Sequence, residues 1–547
     1  MNTFGNLASG PSIVGGQHAN LNRLVTDSPV DHSTSAASDT RYTPSATIIK
    51  GPYGDAYGPP KLSTQLTFSE PYTTGGIAQT LASNLTIAPL QKNSLRLGFH
   101  ATTPILNATE QLNSGVLHLP KLASLGEDYQ QDIRQYAQLS TPDENRHYQA
   151  MDPTGFVDKK SEDLASINLQ LKTRDGDTIN FSLTSYKGYG RGDDERPASF
   201  SGIRVSFEIE GDLTPKELKQ LEAFSQTIQQ ASSRYFNSGQ LDMAELDLSA
   251  LSQFSDIELS FLNNGDGSGD RHLKMRYHDD HETRAIEVSL NGHTSNISID
   301  KTSLGMDVSA QQSQQALEQY LILLKDNASE ARAQPAAADL MLSMFNLGFA
   351  NLQDEAKAAL SQAPIDVAAA SAEQPIKNGL VGLPDFTFSF EARTEMPNAK
   401  HQPLEHVGFS VNLSLKSRVN EDVGSNTESI SQTQKSHLSA AYYAPLDTWD
   451  NVDFKYQNYQ YIQLQRSSEQ VTNLITQDNE LILAAATEEG TFHKTTQVYE
   501  MGQLEDENTE HAEHAQISHF TELAKQESEQ QTMALLNLVM IDPQQKH

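Results

Sequence analysis

The densest group of candidate metal ligands lies at residues 261–282, in the stretch FLNNGDGSGDRHLKMRYHDDHE. Its first half has the spacing of an EF-hand calcium loop, with Asn264 and Asp266 at positions 1 and 3 and a glycine at position 6. An EF-hand also needs a bidentate glutamate at position 12 and flanking helices. Position 12 is Met275, and both flanks alternate like strands. We therefore favour a plain hairpin loop, and keep Asp266 and Asp270 as candidate calcium ligands.

The second half of this stretch, HDDHE at residues 278–282, contains two imidazoles and three carboxylates. Imidazole and carboxylate groups together are an established ligand set for transition metals. His278 and His281 are three residues apart, so on a strand they face opposite sides and only a turn can bring them together. We favour a solvated hairpin turn, and keep His278 and His281 as candidate zinc ligands.

A third candidate site lies near the C-terminus, in LEDENTEHAEHAQISHF. Glu507, His511 and His514 recur at i, i+4 and i+7, so on a helix all three would project from one side. This spacing would suit zinc if residues 505–541 form the charged helix that their pattern indicates. Acidic runs are more often only solvated, so we favour a solvated segment and keep Glu507, His511 and His514 as candidate zinc ligands.

Catalytic motifs are absent from the sequence. It contains no G-x-S-x-G elbow, no H-E-x-x-H motif and no glycine-rich phosphate or dinucleotide loop. We therefore assign no catalytic residue and no resident cofactor, and calcium and zinc are the only cofactors that the candidate clusters allow. Trp449 and the tyrosines of YQNYQYIQ could line a carbohydrate site, or could pack within a sheet.

Charge and cysteine content exclude several classes of function. The 547 residues include 39 Lys and Arg against 71 Asp and Glu, which gives a net charge of −32. This field repels nucleic acid and anionic lipid, whereas cationic partners and divalent cations are compatible with it. Because the chain has no cysteine, disulfides, thiolate zinc sites, iron–sulfur clusters and thiol nucleophiles are excluded.

Targeting and membrane signals are also missing from the pattern. The N-terminal stretch has no basic residue before Arg23 and no apolar core, so it is not a secretory signal peptide. No run approaches the roughly 18 apolar residues that a membrane-spanning helix needs. We expect a cytoplasmic protein without membrane insertion, or one exported by a route that needs no cleaved signal.

Composition and periodicity divide the chain into seven segments. Residues 1–62 are rich in Ser, Gly, Thr, Asn and Pro, which predicts a disordered leader. The whole pattern predicts an α+β fold of antiparallel β-meanders with segregated helices. After the leader come a weakly structured region at 63–160, a central α+β module at 161–307, a helical hairpin at 308–363, an Ala/Pro linker at 364–384, an antiparallel β-rich module at 385–500 and an acidic C-terminal helix at 501–547.

The central module has the clearest local signals. Apolar residues alternate in INLQLKTRDGDTINFSLTS on both sides of Asp175-Gly176, which predicts a hairpin, and GIRVSFEIEG adds a third strand. Thr214 and Glu217 form a capping box around a first-turn proline, so a helix is predicted from there to Gly239. Alternation in IELSF, LKMRY, AIEVSL and NISI predicts a second meander. Upstream, DYQQDIRQYAQL predicts a short helix.

Three consecutive motifs of this module are LKTRDGDTINFSL, VSFEIEGDLTPKELKQLE and RYFNSGQLDMAELDL. In order and spacing they resemble a group of uncharacterised gammaproteobacterial proteins, and the resemblance covers about residues 164–263. It implies a bacterial source and an α+β module. It implies no activity, because the group has no assigned chemistry.

These observations favour a non-catalytic interaction or structural protein of a bacterium, with another protein as its partner. The alternative is a hydrolase, metal-assisted or not, whose site is assembled from distant segments. Such an enzyme must bring polar side chains from several segments into one pocket.

Overall fold

A computed structural model gives the fold of this chain. It describes residues 86–87, 112, 116, 119–124, 126–139, 148–150, 157–191, 197–239, 241, 243, 251–264, 271–303, 310–352, 381–393, 398, 405–422, 427–447, 451–477, 480–519 and 521. All of them fall within Ala46–His547, which forms one unit. The predicted disordered leader and most of the predicted Ala/Pro linker lie outside the described residues.

The first described elements are short, apart from one strand. They are β1 (Thr86–Ile87), α1 (Leu119–Ala123), β2 (Tyr129–Leu139) and β3 (Tyr148–Ala150). The helix predicted for DYQQDIRQYAQL is wrong, because this segment is β2. The strand pairs along its length with the later segment Pro197–Glu210, and this backbone pairing outweighs a weak local helical pattern.

The predicted three-stranded meander is confirmed. It comprises β4 (Val157–Thr173), β5 (Thr178–Arg191) and β6 (Pro197–Glu210), paired in that order. Gly176 lies in the first turn with a φ of +108°, a conformation that glycine adopts without a steric penalty. One face of the hairpin is fully buried, as the alternation predicts, through Ile167, Leu169, Leu171, Ile179, Phe181 and Leu183.

The capped helix is confirmed as α2 (Pro215–Ser238). Thr214 Oγ1 accepts a hydrogen bond from the Glu217 amide at 3.4 Å, and Glu217 Oε2 accepts one from the Thr214 amide at 2.7 Å. Gly239 ends the helix with a φ of 71°. The helix buries Leu221, Phe224, Ile228 and Tyr235 against the sheet.

A second meander follows α2, as predicted. It comprises β7 (Phe254–Asn263), β8 (Arg271–Asp279), β9 (Thr283–Leu290) and β10 (His293–Asp300). β7 pairs with β4, so α2 carries the chain back across the first meander to its opposite side. Asn291 and Gly292 connect β9 to β10, and both have the positive φ that a tight hairpin turn requires.

Two helices then pack on the sheet, where a helical hairpin is predicted. They are α3 (Ala310–Glu330) and α4 (Pro335–Phe349). The ring of Phe345 in α4 packs on Phe386 and Phe388, with centroids 5.5 Å and 5.2 Å away. The ring of Tyr320 in α3 also packs on Phe386, with the centroids 5.2 Å apart. Among the described residues, every helix is too short or too polar to cross a membrane.

The last six strands extend the same sheet. They are β11 (Phe386–Arg393), β12 (Gly408–Asp422), β13 (Thr427–Ala444), β14 (Tyr459–Gln477), β15 (Glu480–Glu500) and β16 (Gln503–His519). β11 pairs with β10, which joins the predicted β-rich module to the central one. Among the described residues, the antiparallel sheet has 16 strands in the order β1-β2-β6-β5-β4-β7-β8-β9-β10-β11-β12-β13-β14-β15-β16, with β3 beside β2.

The predicted C-terminal helix is wrong over its described part, because residues 503–519 form β16. This segment pairs with β15 from Gln503 to His519. Its Glu, Ala and Gln residues have high helix propensity, but propensity contributes only fractions of a kcal/mol per residue, on the order of 0.5 kcal/mol. The long neighbouring strand instead offers hydrogen bonds along its whole length. Residues 522–541 of the predicted helix lie outside the described residues.

The two faces of the sheet differ in cover and composition. Apolar side chains of β11 alternate strictly, with Phe386, Phe388 and Phe390 buried on the side where the helices pack, which we call the helix-side face. Thr387 and Ser389 point to the other side, which we call the open face. The core therefore lies between the helices and one face of the sheet.

The helix-side face becomes polar near the end of the sheet but stays buried. Gln432, Gln434 and Gln470 are each no more than 2% exposed. The Tyr320 hydroxyl donates to Gln434 Oε1 at 2.7 Å, Gln434 Nε2 donates to Gln470 Oε1 at 3.1 Å, and the Val381 amide donates to Gln432 Oε1 at 2.9 Å. These bonds compensate for burying amide groups, and they fix α3 over β13 and β14.

Candidate functional site

The turn between β8 and β9 contains the HDDHE cluster, and its exposed side chains have separate partners. His278 Nδ1 lies 2.7 Å from Asp256 Oδ1, and its Nε2 lies 3.2 Å from Asp280 Oδ2. His281 is exposed and lies 3.6 Å from Glu282. Within the part of the chain that the structure describes, no three residues of this turn bring one ligand atom each to within 4.8 Å of one another.

Hydrogen bonds in this turn also shift the pKa values of its side chains. The bond to Asp256 raises the pKa of His278 above its ordinary value. Asp280 accepts bonds from the Thr283 amide at 2.7 Å and the Glu282 amide at 2.8 Å, which lower its pKa to about 2. The geometry is that of a solvated hairpin turn in which the Asp280 carboxylate accepts hydrogen bonds from the backbone of the same turn.

The remaining acid of the cluster, Asp279, is the centre of a buried ion network. Its side chain is 2% exposed and lies 3.4 Å from Arg284 Nη2, 2.8 Å from Lys301 Nζ and 3.3 Å from Arg174 Nη2. The Tyr277 hydroxyl donates to the same carboxylate at 3.0 Å. Three cations and a hydroxyl therefore converge on one acid.

This network connects the sheet to the end of α4. Arg284, which is 1% exposed, donates to the carbonyls of Gly348 at 3.4 Å and Ala350 at 2.6 Å, where the helix ends. Burial alone would raise the pKa of Asp279, but the Arg284 charge and the Lys301 hydrogen bond hold it below its ordinary value. The arrangement is that of a structural brace, because all the partners are protein groups of the fold.

The EF-hand-like spacing falls on the loop between β7 and β8. Both flanking segments, IELSF and LKMRY, are antiparallel strands as predicted. Asn264 ends the described part of the loop, and the candidate ligands Asp266 and Asp270 lie outside the described residues.

The C-terminal histidines lie on a strand, so the helix that would put Glu507, His511 and His514 on one side is wrong. Strand alternation puts Glu507 and His511 on the open face and His514 on the helix-side face. His511 Nε2 lies 3.1 Å from Glu513 Oε1, and His514 Nε2 lies 3.4 Å from Glu488 Oε1. Each histidine therefore contacts a carboxylate on its own side of the sheet.

A different carboxylate group does converge, and sequence spacing did not indicate it. Oxygen atoms of Asp175, Asp177 and Glu217 lie within 4.8 Å of one another, the only such group of three or more among the described residues. Three carboxylates are the type of ligand that Ca²⁺ or Mg²⁺ would accept. Thr173 Oγ1 donates to Asp175 at 2.8 Å, which holds the pKa of Asp175 below its ordinary value, and Glu217 serves the capping box. The turn and the helix cap therefore account for these acids.

The tyrosines near residue 460 form a packed cluster. The hydroxyls of Tyr443 and Tyr459 donate to the two oxygens of Glu405, at 2.8 and 2.9 Å. The Tyr461 hydroxyl donates to the His406 carbonyl at 2.9 Å. Tyr459, Tyr461 and Glu405 are each no more than 3% exposed, so these rings are packed within the fold. Trp449 lies outside the described residues.

The open face of the sheet has wide, shallow concavities with polar linings. One of about 990 Å³ crosses β10 to β16, and its lining includes the polar side chains of Asn412 and Ser467 and the acids Glu489 and Glu513. Another of about 1080 Å³ lies nearer Glu405. The charged pair Lys435–Glu469, at 2.9 Å, lies within the first concavity. This face offers uncharged hydrogen-bonding groups together with several charged side chains.

The free edge of β16 is the most exposed strand surface that the structure describes. All but three of its 17 residues are exposed, and β15 is its only strand neighbour among the described residues. Leu504 and Ile517, near its two ends, are 50% and 65% exposed. We call this surface, Gln503–His519 on the side away from β15, the β16 edge.

Comparison with known proteins finds no family model, no curated protein and no solved structure that matches this chain. The resemblance of residues 164–263 to a gammaproteobacterial group is therefore without a matching family model.

Proposed function

We propose that this chain is a non-catalytic interaction protein that binds an extended segment of another polypeptide as an added strand at the β16 edge. The single observation that carries the proposal is the length and exposure of this edge. β16 has 17 residues, whereas strands in globular proteins commonly have about 3–10. An edge of this kind presents a row of N–H and C=O groups that a second chain can pair with.

The side chains of the β16 edge support this function. Leu504 and Ile517 are large apolar groups, each at least half exposed, and an added strand would cover them. Between them the strand is polar and charged, which keeps the edge soluble when no partner is present. A partner would therefore gain main-chain hydrogen bonds along the strand and apolar contacts near both ends.

The other clusters support a non-catalytic role, because bonds within the fold engage their polar groups. His278 and Asp280 belong to a turn, Asp279 braces α4, and Glu405 accepts from two packed tyrosines. A hydrolase site would instead need a nucleophile and a base aimed at an accessible pocket.

Proline substitutions at two successive positions of β16 test the proposed strand addition. Successive residues of an edge strand direct their N–H groups alternately to the neighbouring strand and to the free side. Of Asn508→Pro and Thr509→Pro, one therefore removes a free-side donor and leaves the pairing with β15 intact. We expect that variant to keep the melting temperature and to lose at least about tenfold in affinity for strand-forming decapeptides.

Hydrogen–deuterium exchange supplies the readout and the control. The peptides used are neutral, basic and acidic decapeptides built on alternating Thr and Val. Bound peptide should slow amide exchange within residues 503–519, and Thr509→Ala, which keeps the N–H, should bind normally. If no strand-forming peptide protects these residues, or if protection survives both proline variants, the proposed function is wrong.

A further inference from the structure

We infer that the segment bound at the β16 edge is rich in lysine and arginine, with basic side chains on both of its faces; this inference rests on the proposed function. β16 contains five acidic residues and no Lys or Arg. Their exposed carboxylates face solvent along the strand. The five acids are Glu505, Asp506, Glu507, Glu510 and Glu513.

The acids of β16 alternate between the two faces of the sheet. Asp506 and Glu510 project to the helix-side face, and Glu507 and Glu513 to the open face. A strand added at the edge would therefore meet negative charge whichever way its side chains point. A peptide with basic residues at adjacent positions satisfies both faces, whereas one with basic residues at every second position satisfies only one.

The sheet already contains one example of the contact that we infer. Lys494 of β15 lies directly opposite Glu510 and its Nζ is 3.0 Å from Glu510 Oε1. A lysine on an added strand, on the other side of β16, would meet the same row of acids at the same spacing. Opposite charges on neighbouring strands stabilise a pair, and like charges destabilise it.

Charge also identifies the occupant as another protein and not this chain. The only adjacent pair of basic residues in the sequence is Lys159-Lys160, which lies in β4 where that strand pairs with β5. The 26 residues that follow the described part, 522–547, contain two lysines, Lys525 and Lys546. A second copy would place the acids of its own β16 against these acids. The net charge of −32 further favours the approach of a cationic segment over long distances.

Three decapeptides of equal length and strand propensity test the inference on the full-length protein. One has paired lysines on a Thr/Val background, the second has glutamine and the third has glutamate at those positions. We expect the lysine peptide to bind about tenfold tighter than the glutamine peptide, since it gains several exposed ion pairs. The difference should shrink at 0.5 M salt, because added ions screen these pairs. The glutamate peptide should bind most weakly.

Matched charge variants separate a local effect from the overall field. The triple variant Glu507→Gln, Glu510→Gln, Glu513→Gln should lower affinity for the lysine peptide about tenfold and leave the glutamine peptide unchanged. The control triple variant Glu208→Gln, Glu287→Gln, Glu391→Gln removes the same amount of charge elsewhere on the sheet. It should change the affinity for the lysine peptide and for the glutamine peptide by no more than about twofold. Equal affinity for lysine and glutamine peptides would overturn this inference and leave strand addition intact. If no peptide protects residues 503–519, both proposals fail.

Discussion

Asp279→Asn lowers the free energy of unfolding by about 3–5 kcal/mol at neutral pH, because it leaves a buried arginine without its negative partner. Arg284 is 1% exposed and cannot move to water, whereas the partly exposed Arg174 can. The loss should be measured as a shift of the urea midpoint at constant slope. It is larger than the effect expected for any exposed charge of this chain.

The acid dependence of stability gives a second readout for Asp279. Its folded-state pKa is lowered, so the carboxylate contributes stability that is present above the unfolded-state value of about 3.9. That contribution is lost as the pH falls through the folded-state pKa. The variant should therefore lose less stability than the parent protein between pH 5 and pH 2.

Two further variants act as controls for Asp279. Glu282→Gln removes an exposed acid of the same turn and should change stability by less than about 0.5 kcal/mol. Adding Arg284→Met to Asp279→Asn should recover part of the loss, because the unpaired charge is then removed. If Asp279→Asn unfolds within about 1 kcal/mol of the parent protein, the network does not brace α4.

The second large effect is a loss of stability at alkaline pH caused by Tyr443 and Tyr459. Burial raises the pKa of both hydroxyls, and the carboxylate of Glu405, to which they donate, raises it further. Their stabilising contribution is therefore complete below the unfolded-state pKa of about 10 and is lost as pH rises above it. At pH 11 the free energy of unfolding should be lower than at neutral pH by about 1.4 kcal/mol for each tyrosine, or about 3 kcal/mol for the pair.

Urea unfolding between pH 8 and pH 11 measures this effect. Tyr459→Phe should be about 1–3 kcal/mol less stable at pH 8, since Glu405 loses a donor, and its stability should fall less steeply above pH 10. Tyr456→Phe is the matched control, because Tyr456 is 53% exposed and its loss should not change the slope. Parallel pH profiles for Tyr459→Phe and the parent protein would contradict the account of the cluster.

The parts of the fold that follow from local sequence were predictable. The hairpin at Asp175-Gly176, the capping box of Thr214 and Glu217, and the Asn291-Gly292 turn each depend on residues only a few positions apart. The strands β2 and β16 were not predictable in this way. Both are polar, and their conformation is set by pairing with β6 and β15, which no local pattern encodes.

The same distinction applies to the candidate sites. The HDDHE cluster was visible because its residues are adjacent, but the partners that define Asp279 come from the turn after β4, from β9 and from the segment after β10. The sequence marked Asp175 as a turn residue and Glu217 as a helix-cap residue, and only the fold brings the two carboxylates together. Exposure of the β16 edge likewise depends on the strand order, which is a property of the whole sheet.

Photo-crosslinking of the lysine peptide to the full-length protein tests strand addition at the β16 edge. A photoreactive side chain is placed in turn at successive positions of the peptide, and the linked residue is mapped by mass spectrometry. Strand addition predicts crosslinks confined to residues 503–519 that move along β16 by two residues for each two-residue shift in the peptide. Crosslinks that fall instead on the open face, near Asn412 and Ser467, or that show no register on β16, would contradict it.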